Sequence, residues 1–174
     1  KKKQTAGTEF ANQHKLKLVV QCRDSNRYPG YLRKEYLAYL MLNKLTDTSY
    51  RVRWVNVTYQ DLNGKTLREK PAFFIEHKKR LADRQDLRTV DDSRISRDRL
   101  DPEQATIAAM FSYLVGNADF SLIASREGSC CHNAKLFQED DDGNYLPVVY
   151  DFDSSGFVSA PYASPPAKLK LRSV

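Results

Sequence analysis

Long apolar runs are missing from this chain of 174 residues. No stretch approaches the roughly 18 consecutive apolar residues that cross a bilayer, and no signal-peptide pattern stands at its start. Cysteine is scarce. Cys22, Cys130 and Cys131 are too few for a fold built on disulfides. Cys130-Cys131-His132 also lacks the two-to-four-residue spacing of paired zinc ligands. Three buried or half-buried thiols are expected, and a bridge from Cys22 to one of the pair stays open for an oxidising compartment. Internal repeats are absent too, which excludes repeat architectures. The chain opens on Lys1-Lys2-Lys3 without methionine and stops at Leu171-Arg172-Ser173-Val174, so it reads as a piece of a longer protein.

Charge is present in quantity, and it is unevenly spread. Residues 1–80 carry 18 basic and 7 acidic side chains, a surplus of +11, whereas residues 81–174 carry 10 and 15, a balance of −5. A basic first part attracts phosphate on a nucleotide, a nucleic acid or a lipid, or is simply a solvated surface.

Hydrophobic patterning predicts an α+β fold. Lys15 to Val20 alternates and then turns apolar, as a strand with one face in a core does. Pro29-Gly30 marks a stop, and Tyr31 to Leu45 places Leu32, Tyr36, Tyr39 and Leu40 on one helix side. Glu35 falls on that same side. It is expected either to pair with Lys17 or Lys15 of the strand or to reach water at the edge of the face. Arg51 to Tyr59 alternates again, Asn63-Gly64 is a hairpin signal, and Pro71 to Glu76 supplies the returning strand. Residues 77–100 are densely charged and read as a connector with some helix. Asp101-Pro102-Glu103 opens a helix, with Asp as N-cap and Pro in the first turn, and Gly116 closes it. Ala134 to Phe137 and Tyr145 to Tyr150 pair as a hairpin around an acidic turn at 138–144. That turn lacks the alternating ligands of an EF-hand calcium loop. Residues 154–174 look irregular. The division is 1–76, 77–100 and 101–174.

The chemistry-bearing residues come in a telling order: Gly116-Asn117-Ala118-Asp119, His132-Asn133 and Tyr150-Asp151-Phe152-Asp153. Phosphoryl transfer needs a carboxylate that orients the accepting hydroxyl, then an amide oxygen and a second carboxylate that hold Mg²⁺. Asp119, Asn133 and Asp151 supply those groups, and hard oxygen donors suit magnesium. Cysteine–histidine catalysis by Cys131 and His132 is disfavoured, because adjacent side chains seldom face each other.

Taken together, these phrases, with Leu16-Lys17-Leu18, Arg33-Lys34-Glu35-Tyr36 and Leu146-Pro147-Val148-Val149, resemble the spore-coat CotH-type kinases and bacterial proteins related to them. The likeness covers most of residues 15–157, and a weaker one extends to HipA-type kinases. The resemblance implies a two-lobed protein-kinase-like fold, truncated at both ends, acting with ATP and Mg²⁺. It implies that Lys17, oriented by Glu35, holds nucleotide phosphates, with Lys15 as the alternative lysine. Asp119 would orient the hydroxyl and Asn117 would brace its loop. Asn133, Asp151 and Asp153 would hold metal, and the backbone after Glu76 would lie beside adenine. Two features depart from the family pattern. Asp119 and Asn133 are fourteen residues apart where kinase loops place the pair five apart, so Ser121 to Ser129 must bulge out. There is also no Gly-x-Gly-x-x-Gly loop before the first strand.

The leading expectation is therefore a kinase-like phosphotransferase with a hydroxyl-bearing protein as acceptor. Nucleotidyl transfer on the same core is a variant of it. An inactive pseudokinase or coat module is the alternative. Nucleic-acid binding ranks last, because the aromatics sit at core-like positions rather than beside the basic groups. The resemblance also leans towards an exported or cell-surface location.

Overall fold

The computed structural model describes residues 7–8, 15–21, 23–92, 94–124 and 130–165. Cys22, the first residues up to Lys3 and the final stretch from 166 onward lie outside them, so the expectations for those positions stay open. The α+β class is borne out. Among the described residues, two three-stranded antiparallel sheets are accompanied by three α-helices. Among the described residues no helix is long and apolar enough to cross a membrane.

The first sheet has the order β1 (Lys17–Val20), β3 (Thr66–Ile75), β2 (Val52–Gln60). Helix α1 (Tyr28–Leu45) connects β1 to β2 and buries Leu32, Ala38, Tyr39 and Leu42 at helical spacing. It starts three residues earlier than the pattern predicts. Pro29 lies in its first turn, where a missing N–H breaks no helical bond, so the Pro-Gly pair opens the helix rather than ending an element. The β2–β3 turn forms as expected. Asp61 Oδ1 accepts from the N–H groups of Asn63 and Lys65, both at 2.9 Å, and Gly64 takes φ +80°.

Strand β3 begins five residues before Pro71, through the polar run Thr66 to Lys70. Pro71 is tolerated because β1 pairs only with Ala72–Ile75, so at Pro71 the sheet is a two-stranded ribbon with a free side. In β1 the expected inward face is reversed. Leu16, Leu18 and Val20 are exposed, while Val19, opposite Phe73, packs on the core. The partner strand decides this, because Lys17 and Val19 share a face with Ile75 and Phe73.

The second sheet, β4 (Arg88–Val90), β5 (Ala134–Gln138) and β6 (Leu146–Val149), draws its first strand from the charged connector. Helix α2 (Lys78–Gln85) precedes β4 and ends on Asp86 in the left-handed region, φ +52°. Helix α3 (Pro102–Leu114) is capped by Asp101, which accepts from Gln104 N at 2.7 Å, and it packs on β6. Buried Gln104 joins the two halves, donating to Thr48 O at 2.8 Å and Pro147 O at 3.2 Å.

One continuous core spans both sheets. A chain of ring contacts runs through it from Phe73 to Tyr39 (5.9 Å between centroids), Phe152 (4.9 Å) and Phe111 (5.4 Å). Phe152 is fully buried and lies between Asp151 and Asp153 in sequence. Burying such a ring stabilises by about 1.5–3 kcal/mol, so the segment carrying both carboxylates is anchored by its middle residue.

Candidate active site

Each element end delivers one group. Beyond the end of helix α3, Gly116 takes φ +63°, a conformation that L side chains rarely adopt, and a Cβ there would touch Gly156 backbone at 3.4 Å. The chain then turns through Asn117. This buried amide accepts from Asp119 N at 3.0 Å through Oδ1, as Asx turns do. Asn117 thus fixes the backbone of Asp119.

The fourteen-residue separation is bridged. Ser121 and His132 pair in an antiparallel bridge, with N···O distances of 2.9 and 3.1 Å. Asn133 Nδ2 consequently donates to Asp119 O at 2.9 Å and to its Oδ2 at 3.2 Å. His132 Nε2 lies 2.8 Å from Asp119 Oδ1. The carboxylate is held from two sides and remains about half exposed. The expected bulge is only partly one. Residues 121–124 run back along the connector, where Arg94 bridges Ala124 and Ile95 N bonds Ile123 O at 3.2 Å. Residues 125–129 lie outside the described part.

Cys130 and Cys131 lie with their sulfurs against each other, buried as expected. Both sulfurs turn towards one carbonyl, Leu122 O, at 3.6 and 3.0 Å, and both residues are buried.

Asp151 follows β6 in the left-handed region, φ +66°, which non-glycine residues enter at a cost. Its N–H donates to the hydroxyl of fully buried Tyr39 at 2.9 Å. Burial pushes the Asp151 carboxyl up, with repulsion from Asp153 and Asp119 adding to it, while Lys17 and His132 pull the other way. Asp151 therefore senses the charges of Asp119 and His132.

A cavity of about 180 Å³ opens beside Asp151, between β1 and α1, with Lys17, Gln21, Tyr28, Glu35 and Asp153 on its walls. Glu35 corresponds to neither expectation. It is 4% exposed, so it does not reach water freely, and among the described residues no ion pair joins it to Lys17 or Lys15. Its pKa is raised from 4.5 to about 8, by burial first and then by the charges of Asp151 and Asp153, against the pull of Lys17. The Lys17 ammonium instead sits over the Tyr150 ring, 4.9 Å from its centroid. Lys15 lines a different cavity, with Glu76 and His77.

The structure thus brings Asp119, Asn117 and Asn133 into direct contact and sets Lys17, Glu35, Asp151 and Asp153 around one cavity. Among the described residues no three His, Cys, Asp or Glu side chains converge as a ready-made metal site. Sequence reasoning weighed His132 only as a partner of Cys131, took Tyr39 as core and gave no role to Gln21 or Tyr150. The adjacency of His132 to Asn133 was the one available signal. Tyr39 reads as core, and its hydroxyl contact with Asp151 spans 112 residues.

No protein family, curated protein or solved structure matches this chain.

Proposed function

We propose that this chain forms the core of a protein-kinase-like phosphotransferase that uses ATP and Mg²⁺ to phosphorylate a hydroxyl group, a protein hydroxyl being the expected acceptor. The observation that carries this reading is the contact of Asp119 with Asn133 across fourteen residues, within electrostatic reach of an Asp151 whose cavity also holds Lys17. The order of parts supports it as well. A lysine strand, a glutamate helix and a hairpin precede a buried helix, a carboxylate loop and a second hairpin that ends in Asp151.

The residues suit magnesium. Mg²⁺ is usually held by one or two carboxylates together with substrate phosphates rather than by a protein cage. Asp151, Asn133 and Asp153 offer hard oxygens, and the repulsion of Asp151 by Asp153 and Asp119 is what a divalent cation relieves. When bound, the ion shields phosphate charge and orients the transferred group. Lys17 supplies the positive charge for the phosphates. Asp119 orients the acceptor hydroxyl and takes up its proton on the carboxylate. Asn117 and Asn133 fix the direction of that carboxylate, and His132 holds its other oxygen.

The test is stabilisation by Mg²⁺-ATP together with transfer of the γ-phosphoryl group. Millimolar nucleotide at one hundred times Kd adds about 2.7 kcal/mol to stability. The substitution Asp151→Asn should remove both that gain and the transfer. Failure of the wild-type protein to respond to Mg²⁺-ATP would end the reading, and transfer of AMP instead of phosphate would turn it into nucleotidyl transfer. A non-catalytic module is the second reading, favoured by the missing Lys17–Glu35 pair. It predicts no turnover, and the absence of stabilisation at millimolar Mg²⁺-ATP would favour it.

A further inference from the structure

We propose that the cavity at the edge of the first sheet, where β1 and β2 begin, β3 ends and α2 starts, docks an acidic peptide segment of another protein through Lys15, Arg51 and Arg80. Of the described residues, only Ile75 lines both this cavity and the one that holds Asp151. The inference therefore does not rest on the phosphotransferase reading, and either can fail alone.

Three cations on its walls lack a counter-charge. Among the described residues no ion pair engages Lys15, Arg51 or Arg80, and all three are exposed. The acid beside them is already engaged. Glu76 accepts from Arg84 Nε at 3.1 Å and Nη2 at 2.9 Å, and from Arg51 N at 3.1 Å. Helix α2 starts at the same place, capped by His77, with no acidic residue in its first turn. The positive end of its dipole adds to the field. Cations gathered around one cavity without an acid repel one another, and an anionic partner relieves that repulsion.

Apolar groups complete the walls. Leu16 is 45% exposed and shares the cavity with Val52 and Ile75, so the partner needs an aliphatic side chain among its carboxylates. At about 230 Å³ the cavity is smaller than the roughly 300 Å³ at which drug-sized ligand sites begin. It takes a side chain or two of an extended segment rather than a whole nucleotide. The chain's own ends do not match in charge. Residues 1–14 hold three lysines and one glutamate, and residues 166–174 hold three basic side chains and no acidic one. A segment of another protein, with acidic residues around an aliphatic one, fits these walls.

Fluorescence anisotropy of the whole chain with a labelled peptide of four glutamates around one leucine tests this, near neutral pH and at low salt. Saturable binding is expected with Kd below about 1 mM, weakening as salt is raised. Joint replacement Arg51→Glu and Arg80→Glu should weaken it at least about tenfold. If that double variant does not fold, Arg80→Glu alone carries the test, with a loss of at least about threefold. A peptide with serine in place of its leucine should bind at least about threefold more weakly. A peptide with lysines in place of its glutamates should not bind, and saturating Mg²⁺-ATP should leave binding of the acidic peptide unchanged. The inference is overturned if the acidic peptide does not bind at about 1 mM, if the serine or lysine peptide binds equally, if charge reversal has no effect, or if Mg²⁺-ATP displaces the acidic peptide.

Discussion

Replacing Glu35 by Gln should make the protein more stable, by an amount that grows with pH. Glu35 is buried beside Asp151 and Asp153, and its pKa rises from 4.5 to about 8 on folding. The folded state therefore binds more protons than the unfolded state between those two values. Stability must fall as pH rises through that window and level off above it. The gap between 4.5 and about 8, at about 1.36 kcal/mol for each pH unit, corresponds to roughly 5 kcal/mol as an upper figure. Gln keeps the shape and carries no charge, so the Glu35→Gln variant escapes this loss. Asp151 shifts in the same direction, but it is common to both proteins and drops out of the difference. Urea denaturation of both proteins at about pH 5, 6, 7, 8 and 9 reads the effect directly. Near pH 5 the curves should differ by less than about 1 kcal/mol. By pH 8 the variant should be ahead by about 2–5 kcal/mol, which for a chain of this size is on the order of 5–15 °C in Tm. Parallel stability profiles across the whole range would refute the reasoning, because they would mean that Glu35 is solvated or paired in the folded protein.

Two further outcomes follow from the same geometry. Tyr39→Phe deletes the hydroxyl that accepts from Asp151 N, so it should cost about 1–3 kcal/mol by leaving that N–H without a partner; denaturant unfolding checks this. Phe152→Ala removes the fully buried ring joining Tyr39 and Phe111. It should cost about 3–5 kcal/mol, and Phe152→Leu, measured in parallel, should recover much of that loss.

Local rules account for the parts of the fold that were legible. The spacing of Leu32, Tyr39 and Leu42 marks one face of α1, and Asp61 with Gly64 closes its own turn. Asp101 and Pro102 start α3 at the expected residue. In each case the cause lies within a few positions of the effect. Of the ordered set Asp119, Asn133 and Asp151, the first two meet through hydrogen bonds across fourteen residues.

Pairing over distance was beyond the reach of such rules. Residues 88–90 look like charged linker until β5 offers them a ladder. Leu16 and Leu18 look like core until β3 fixes which face of β1 turns inward. Whether Glu35 would meet a lysine or water depended on what stood opposite it. The fold set two carboxylates nearby and left Lys17 over Tyr150. The linear chain decides which groups are present and how each short segment bends. Only the packed structure decides which groups share a low-dielectric space, and their charges and orphaned hydrogen bonds acquire their energy there.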